Sequence, residues 1–183
     1  MASAFEAALR RRSWSRVGDD APDHAELLRL VGAAGRVADH GSLTPWRVIE
    51  LRGSARDRLG RALAKSARRH GKDGDGLLTK PLRAPLLIAI VARRRPSDSV
   101  PGWEQDAVAS GVAHLLSLLL DEAGWGVIWR TGPYTRTKAV RKMHGLRSGE
   151  RLLGWLYVGG VPADARAGRT KTINAAKFLT TLD

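Results

Sequence analysis

The chain has 183 residues, which predicts one domain, 1–183, large enough to bury a core without disulfide or metal support. It contains no cysteine, which excludes disulfides, thiolate metal sites and cysteine nucleophiles and fits a reducing, cytoplasmic location. The formal net charge of +13 would attract nucleic acid, anionic lipid or anionic small molecules. Because the basic runs at 10–12, 68–70 and 93–95 are scattered, we predict neither a nucleic-acid nor a membrane partner.

The first predicted elements are two helices. An apolar i, i+3, i+4 stripe over 5–9 predicts a short helix, with the next two arginines at or just past its C-terminal turn. Asp23 and Glu26 stand in capping-box spacing ahead of a second apolar stripe, which predicts a helix that ends near Val37. The polar residues that follow, 38–45, are predicted to be a loop.

The rest of the chain alternates strands and helices, which favours an α/β or α+β architecture without fixing the strand order. The run 86–92 is apolar throughout, so it belongs in the centre of the sheet. Charged and polar residues interrupt the long helix 104–123, so we predict no transmembrane span. The remaining predicted elements are a strand at 46–52, a helix around 59–67, a loop at 70–76, a strand at 126–129, a helix at 137–144 and a strand at 152–158.

Familiar catalytic motifs are missing from the sequence. It has no phosphate-binding Walker loop, no Gly-x-Gly-x-x-Gly after a strand, no nucleophile elbow and no His-Glu-x-x-His pair. The five histidines are dispersed and form no evident metal-ligand cluster. We therefore predict no metal site.

Three short segments carry chemistry instead. RRS at 11–13 offers two guanidinium groups and a hydroxyl, which suit a phosphate monoester. WRTG at 129–132 follows an apolar run, where a strand end can present backbone groups and a cation to a ring. Between them, DHGSLTPW at 39–46 forms the loop before a strand. Together they predict a site for a phosphate, a sugar chain and a flat heteroaromatic ring.

These segments, in this order, resemble the FMN-dependent nitroreductase family, in particular its short bacterial branch of NAD(P)H nitroreductases. The resemblance covers nearly the whole chain. It includes three further motifs, RAPL at 83–86, VPGWEQ at 100–105 and GWLYVG at 154–159.

The resemblance implies an α+β nitroreductase-type fold, with a central, mostly antiparallel sheet flanked by helices, in an intertwined homodimer. By the same analogy the tail from about 163 lies across the partner subunit, whereas the sequence alone also permits a disordered end. FMN would bind at the subunit interface, with the loop around His40, helped by Arg36, reaching the flavin held mainly by the other subunit. The cofactor-binding residues that the resemblance implies are Arg11, Arg12, Ser13, Arg36, His40, Trp129, Arg130, Thr131 and Arg169.

The activity that the resemblance implies is hydride transfer from NAD(P)H to FMN and then to a nitroaromatic, quinone or enone acceptor. No side chain is predicted to be a catalytic acid or base, and Arg130 offers a cation where negative charge develops on the ring. The alternatives are a non-catalytic flavin-binding or storage protein and, ranked last, a basic nucleic-acid binder.

Two departures from the family pattern fall in the loop. Val37-Ala38 stands where a proline is common before the Asp-His pair, and Thr44 stands where glutamine commonly precedes Pro-Trp. A threonine cannot present the paired donor and acceptor of an amide, so contacts made through that glutamine are not expected here. Pro45-Trp46 is interpreted mainly as the start of a strand with a core or interface aromatic ring.

Overall fold

A computed structural model describes residues 3–164 and 172–182. The helices are α1 (Ala4–Arg10), α2 (His24–Ala34), α3 (Ser54–Arg69), α4 (Asp75–Leu78), α5 (Gly102–Glu122) and α6 (Lys138–Met143). The strands are β1 (Trp46–Leu51), β2 (Leu86–Arg93), β3 (Trp125–Arg130) and β4 (Glu150–Gly160). Short 3-10 turns occupy His40–Ser42, Lys80–Arg83, Pro133–Arg136 and Ala175–Lys177.

The four strands form one antiparallel sheet in the order β1-β2-β4-β3. β2 is buried along almost its whole length between two neighbouring strands, as its continuous apolar sequence predicts. The predicted α+β class with an antiparallel sheet and flanking helices is confirmed. Within the described residues, no helix combines the length and hydropathy needed to cross a membrane.

A β-bulge in β4 determines which side chains share a face of the sheet. Ile90 pairs with Gly154 and Val91 pairs with Leu152, so Leu153 is an extra residue. Strand side chains alternate between faces, and the extra residue resets that alternation. Leu152 and Trp155 consequently pack in the same core cluster, although they are three positions apart and strict alternation would place them on opposite faces.

One core cluster lies on each face of the sheet. α2 and α5 cover one face, where Ile88, Ile90 and Leu156 are fully buried. α3 and α6 cover the other, where Leu87 and Val91 are buried. Because helices cover both faces of the sheet, the two central strands, β2 and β4, are mostly apolar on both faces.

Two predicted boundaries are wrong. α2 ends at Ala34, not near Val37, because the Arg36 N–H turns to the Ala33 carbonyl at 3.1 Å, which tightens the chain after Gly35, and the Trp46 ring packs beside Gly35. The predicted loop 70–76 is shortened by α4, which begins at Asp75. A Cβ at Gly74 would lie 2.5 Å from the Ala64 carbonyl oxygen, so glycine permits this segment to pack closely against α3.

Asp23 caps α2 as predicted, but the capping box is incomplete. The Asp23 carboxylate accepts a hydrogen bond of 2.7 Å from the Glu26 N–H. The Glu26 carboxylate accepts 2.8 Å from the indole N–H of Trp125 instead of turning back to the cap. A tertiary contact to β3 therefore replaces half of the local motif.

A buried ion pair ties β1 to β4 across the intervening strand. The Nε and Nη2 of Arg47 donate to the two Glu150 oxygens at 2.8 Å each, and the Arg147 N–H adds a third bond of 2.9 Å. The Glu150 side chain is only 3% exposed. These hydrogen bonds, led by those from Arg47, lower the pKa of Glu150 from 4.5 to about 2.

Glu150→Gln is expected to lower the free energy of unfolding at pH 7 by about 3 kcal/mol, because that difference in pKa corresponds to this order of stabilisation. The contribution is present above pH 4.5 and is lost as the pH falls from 4.5 toward 2, so the two proteins should converge in acid. Urea titrations across this range measure it. Glu122→Gln, which breaks an exposed pair with Arg10, is the control and should change stability little at any pH.

Candidate functional site

A cavity of about 430 Å³ lies where β3 ends, beside the middle of β4 and below α3. It is the place at which the sequence-predicted segment 129–132 leaves the sheet. The lining residues are Leu63, Leu77, Lys80, Arg83, Ile128, Trp129, Arg130, Thr131, Gly132, Pro133, Tyr134, Trp155 and Tyr157. A pocket of this size with apolar, aromatic and a few charged groups is typical of a small-molecule or cofactor site.

Trp155 and Tyr157 of β4 give the cavity an aromatic wall. They stand two residues apart, so both side chains project from the same face of the strand. Burial raises the pKa of Tyr157 above its ordinary value of 10, so its phenol stays protonated at neutral pH and can donate a hydrogen bond. Arg130 lies beside it, with its guanidinium carbon 5.4 Å from the Tyr157 ring centre.

Gly154 allows β3 and β4 to approach closely at the edge of the cavity. Its φ of +147° is a conformation that L side chains rarely adopt. A Cβ there would lie 2.5 Å from the Arg130 carbonyl oxygen and 2.7 Å from the Trp129 Nε1. The glycine therefore fixes the position of the strand end that carries Arg130.

The N-terminal segment runs along β3 and the end of β4, which brings the predicted phosphate residues to this side of the molecule. Backbone bonds join Trp14 N–H to the Val127 carbonyl at 3.0 Å and Gly18 N–H to the Gly160 carbonyl at 2.7 Å. Arg130 donates from Nη2 to the Ser15 carbonyl at 3.4 Å. Segments 11–13 and 129–131 are far apart in sequence but are brought to the same side of the molecule. Arg130 contacts Ser15, which stands two residues after Ser13.

Within the predicted phosphate segment, the side chains are accessible. Arg11 and Arg12 are half-buried and Ser13 is exposed. The Arg12 guanidinium carbon lies 3.7 Å from the Trp14 ring centre, a cation–π contact that limits its movement.

Buried donors without hydrogen-bond partners cluster at this junction. Among the described residues, four buried side-chain nitrogens have no partner, and three of them are Trp14 Nε1, Trp129 Nε1 and Arg130 Nε. An unsatisfied buried donor costs about 1–3 kcal/mol, so three together indicate a site with unused hydrogen-bonding capacity. The set fits a ligand rich in acceptor atoms.

The cavity is also cationic. Lys80, Arg83 and Arg130 line it, and no aspartate or glutamate is among its lining residues within the described chain. Converging cations in a partly enclosed pocket raise the local concentration of anions. An anionic ligand with a flat, apolar body suits both the charge and the aromatic wall.

Arg36 and His40 lie away from this cavity in the same subunit. Arg36 is exposed past the end of α2, and the His40 Nδ1 lies 3.1 Å from the Glu104 Oε2 at the start of α5. His40 and Glu104 line a separate groove of about 410 Å³ together with exposed Trp103. The single chain therefore does not unite these two predicted residues with the others.

The loop that carries His40 has an unusual backbone. Ser42 and Thr44 have φ of +52° and +47°, the left-handed region that disfavours non-glycine residues and β-branched ones most. The Thr44 N–H donates to the Asp39 Oδ2 at 2.7 Å, which closes the loop on itself. Strained backbone of this kind is retained where the surroundings hold it and is concentrated at functional sites.

Several cavity residues were not predicted as site residues. In the sequence, the motifs at 83–86 and 154–159 are only marks of resemblance, yet Arg83, Trp155 and Tyr157 line the cavity. The spacing of Trp155 and Tyr157 was a usable signal, because alternate residues of a strand share a face. Lys80 carried no such signal. Arg169, the remaining predicted residue, lies outside the described residues.

An antiparallel sheet covered by helices, with a cationic and aromatic-walled cavity at a strand end, defines an α+β protein whose cavity suits a flat anionic ligand in charge and shape. The particular family follows from comparison: the model described as "Nitroreductase family" matches residues 8–160, so the chain belongs to the nitroreductase family. The family prediction is confirmed.

Individual relatives agree. The chain is 34% identical over 159 residues to "Putative NAD(P)H nitroreductase YdjA" of Escherichia coli strain K12, covering 85% of this chain and 87% of that one. The crystal structure of a nitroreductase-like family protein from Bacillus cereus has a TM-score of 0.85 at 23% identity, covering 100% and 97% of the two chains. The FMN and NADPH-dependent nitroreductase NfnB from sphigopyxis sp. strain HMH has a TM-score of 0.76 at 19% identity, covering 100% of both. At these identities the two structures establish the fold.

Proposed function

We propose that this protein is an FMN-dependent NAD(P)H oxidoreductase that reduces a nitroaromatic, quinone or enone acceptor. The observation that carries the proposal is the contact of Arg130 with Ser15, which brings the segment that follows 11–13 to one cationic cavity, with unpaired buried donors on Trp14, Trp129 and Arg130. The names of its relatives, an NAD(P)H nitroreductase and an FMN and NADPH-dependent enzyme, support it. The proposal treats 1–183 as one FMN-binding domain, in line with a family match over 8–160.

Each group of residues has a distinct part in this proposal. Arg11, Arg12 and Ser13 bind the phosphate through charge-assisted hydrogen bonds, each worth about 1.5–3 kcal/mol. Trp129, Arg130 and Thr131 orient the ring and ribityl chain. When bound, FMN supplies the hydride and electron transfer between NAD(P)H and the acceptor.

Other cavity residues shape the surroundings of that chemistry. Leu63 and Leu77 exclude water from one side, while Trp155 and Tyr157 provide a flat wall. The Arg130 guanidinium stabilises negative charge that develops beside it, and in a partly desolvated pocket this effect exceeds its value in water. No side chain is required as a catalytic acid or base.

We further propose that the active form is a homodimer and that His40 and Arg36 complete the partner's site. Their separation from the cavity in one chain supports this arrangement, as does the groove beside α5, where Trp103 is 68% exposed. Large apolar surface of this kind is typical of interfaces. Arg169 is proposed as a further basic contact to the cofactor.

The first experiment is an anaerobic titration of the FMN-reconstituted protein with NADH and with NADPH, followed by the visible flavin spectrum. We expect bleaching by at least one nucleotide and full recovery of the spectrum on addition of a nitroaromatic or quinone. An Arg11→Ala/Arg12→Ala variant titrated in parallel shows whether bleaching depends on protein-bound rather than free FMN.

The other outcomes separate the alternatives. Bound flavin that neither nucleotide bleaches would support a flavin-binding or storage protein instead. Failure to bind FMN at all would contradict the site assignment. Recovery with a quinone but not with a nitroaromatic would narrow the acceptor class.

A further inference from the structure

A second pocket, of about 270 Å³, opens on the same face of the sheet as the cavity. It lies at the start of β1 and β4, the end of β2 and the end of α6. Its lining residues are Arg47, Arg93, His144, Gly145, Arg147 and Glu150. Trp155 separates it from the cavity, because this residue lines the cavity and donates from Nε1 to the His144 Nε2 at 3.0 Å.

The sheet register brings the charged groups of this pocket together. Arg93 of β2 pairs directly with Glu150 of β4, and Arg47 of β1 pairs with Val91, two residues before Arg93. Paired residues and alternate residues of a strand share a face, so Arg47, Arg93 and Glu150 project from the same side. Arg147 joins them from the loop before β4.

Positive charge in the pocket exceeds negative charge. Three guanidinium groups surround one carboxylate, and Arg47 uses its Nε and Nη2 on that carboxylate. The side chains of Arg93 and Arg147 make no hydrogen bond or ion pair within 3–164 and 172–182. Two guanidinium forks therefore face the pocket unpaired by other described residues.

His144 does not change the charge of the pocket, because its ring is neutral. Its Nδ1 lies 2.8 Å from the Val140 carbonyl and its Nε2 accepts from Trp155, so both ring nitrogens are used in the neutral form. Burial lowers its pKa, which also favours the neutral ring.

The neighbouring Arg94 shows that the excess of positive charge is confined to this pocket. Arg93 and Arg94 point to opposite faces of the strand end, and Arg94 is held by both oxygens of Asp106. The fold thus gives Arg94 a carboxylate to bond, whereas the Glu150 carboxylate opposite Arg93 is already bonded by Arg47. An arginine-rich composition explains how many arginines there are, but not why these two remain free beside a pocket.

We propose that this pocket binds phosphate, either as the inorganic ion or as the end group of a small monoester, between the guanidinium groups of Arg93 and Arg147. Arginine forks match the oxygens of a phosphate bidentately, and Arg47, fixed by Glu150, supplies a rigid cationic wall. The volume lies just below the range of about 300–1,000 Å³ for larger ligands, so the occupant is small. The proposal does not depend on the proposed function.

Isothermal titration calorimetry with inorganic phosphate tests this pocket. The protein is saturated with FMN, so that the proposed flavin site is filled, and the ionic strength is held constant. We expect saturable binding, weakened about tenfold in Arg93→Gln and in Arg147→Gln, which is the loss of one charge-assisted interaction. Arg29→Gln is the matched control, because Arg29 is exposed on α2, which covers the opposite face. Glycerol phosphate titrated in parallel shows whether a monoester enters as well as the free ion.

Three results would overturn the proposal. They are no saturable heat with either phosphate, an equal loss in the Arg29 control, or acetate binding as tightly as phosphate. The side chains of Arg93 and Arg147 make no hydrogen bond or ion pair in the described chain, and the charge of Arg147 acts on Glu150 only at longer range, so Arg93→Gln should melt with the wild type and Arg147→Gln close to it. If FMN does not bind, the titration is run on the protein alone and in an Arg11→Ala/Arg12→Ala background, so failure of the flavin site leaves this test intact.

Discussion

Replacing both Arg11 and Arg12 with alanine is expected to raise the Kd for FMN about a thousandfold, and replacing Arg12 alone about thirtyfold. Each guanidinium would lose a charge-assisted bond to the phosphate worth about 1.5–3 kcal/mol, and a thousandfold corresponds to about 4 kcal/mol. Quenching of FMN fluorescence on binding measures both constants. The expected loss is large because the phosphate provides the only full charges of the ligand for the protein to recognise.

The matched control is Arg68→Ala/Arg69→Ala, which removes the same two charges from the exposed end of α3. It reports the contribution of the general positive field, which should be small and sensitive to salt. If the control weakens FMN binding as much as the Arg11/Arg12 pair does, the phosphate assignment is wrong. Undiminished FMN content in the purified double variant would contradict it equally.

A mixing experiment tests the proposed role of His40. His40→Ala and the Arg11/Arg12 double variant are each expected to bind FMN poorly alone. In a mixed dimer, one site would combine intact arginines from one subunit with His40 from the other. Recovery of FMN binding on mixing is therefore expected, whereas no recovery would contradict a site shared between subunits.

Gly154→Ala is expected to lower the free energy of unfolding by about 4 kcal/mol and to weaken FMN binding. The positive φ costs about 1–2 kcal/mol for an alanine, and forcing a Cβ to 2.5 Å from the Arg130 carbonyl adds about 1–3 kcal/mol. Relief requires β3 and β4 to separate, which moves Arg130 at the edge of the cavity. Chemical denaturation and FMN titration together measure both effects.

Gly124→Ala separates the two contributions to that loss. Gly124 also has a positive φ, +88°, but nothing lies within 4 Å of an added Cβ. It should therefore show the backbone cost alone, about 1–2 kcal/mol, without an effect on FMN. Equal stability of the two variants would mean that close approach of the strands at Gly154 is unimportant.

Local sequence signals located most of the elements because their causes are local. The apolar run 86–92 identified the central strand, because a strand buried on both faces is apolar at every position. The apolar stripe around 59–67 identified α3, because a helix buried on one side is apolar at helical spacing. The errors arose where a distant contact intervened. α2 stops early against the Trp46 ring, and Glu26 binds Trp125 instead of completing a cap.

For the candidate site, the residue types and the family could be predicted from the sequence: two guanidinium groups and a hydroxyl at 11–13, a cation at Arg130, and an order of motifs that the family comparison confirmed. Which of these residues lie close together depends on the folded chain. Backbone pairing of Trp14 with Val127 brings the N-terminal segment to β3, and no local rule encodes a contact across more than a hundred residues.

The bulge at Leu153 is the clearest example. It places Trp155 and Tyr157 on the same face as Glu150, so one face carries both the aromatic cavity and the arginine pocket. Without the extra residue, strict alternation would place Trp155 and Tyr157 on one face of the sheet and Glu150 on the other. Sequence determined which side chains are available, and strand register, which depends on long-range pairing, decided what they can bind together.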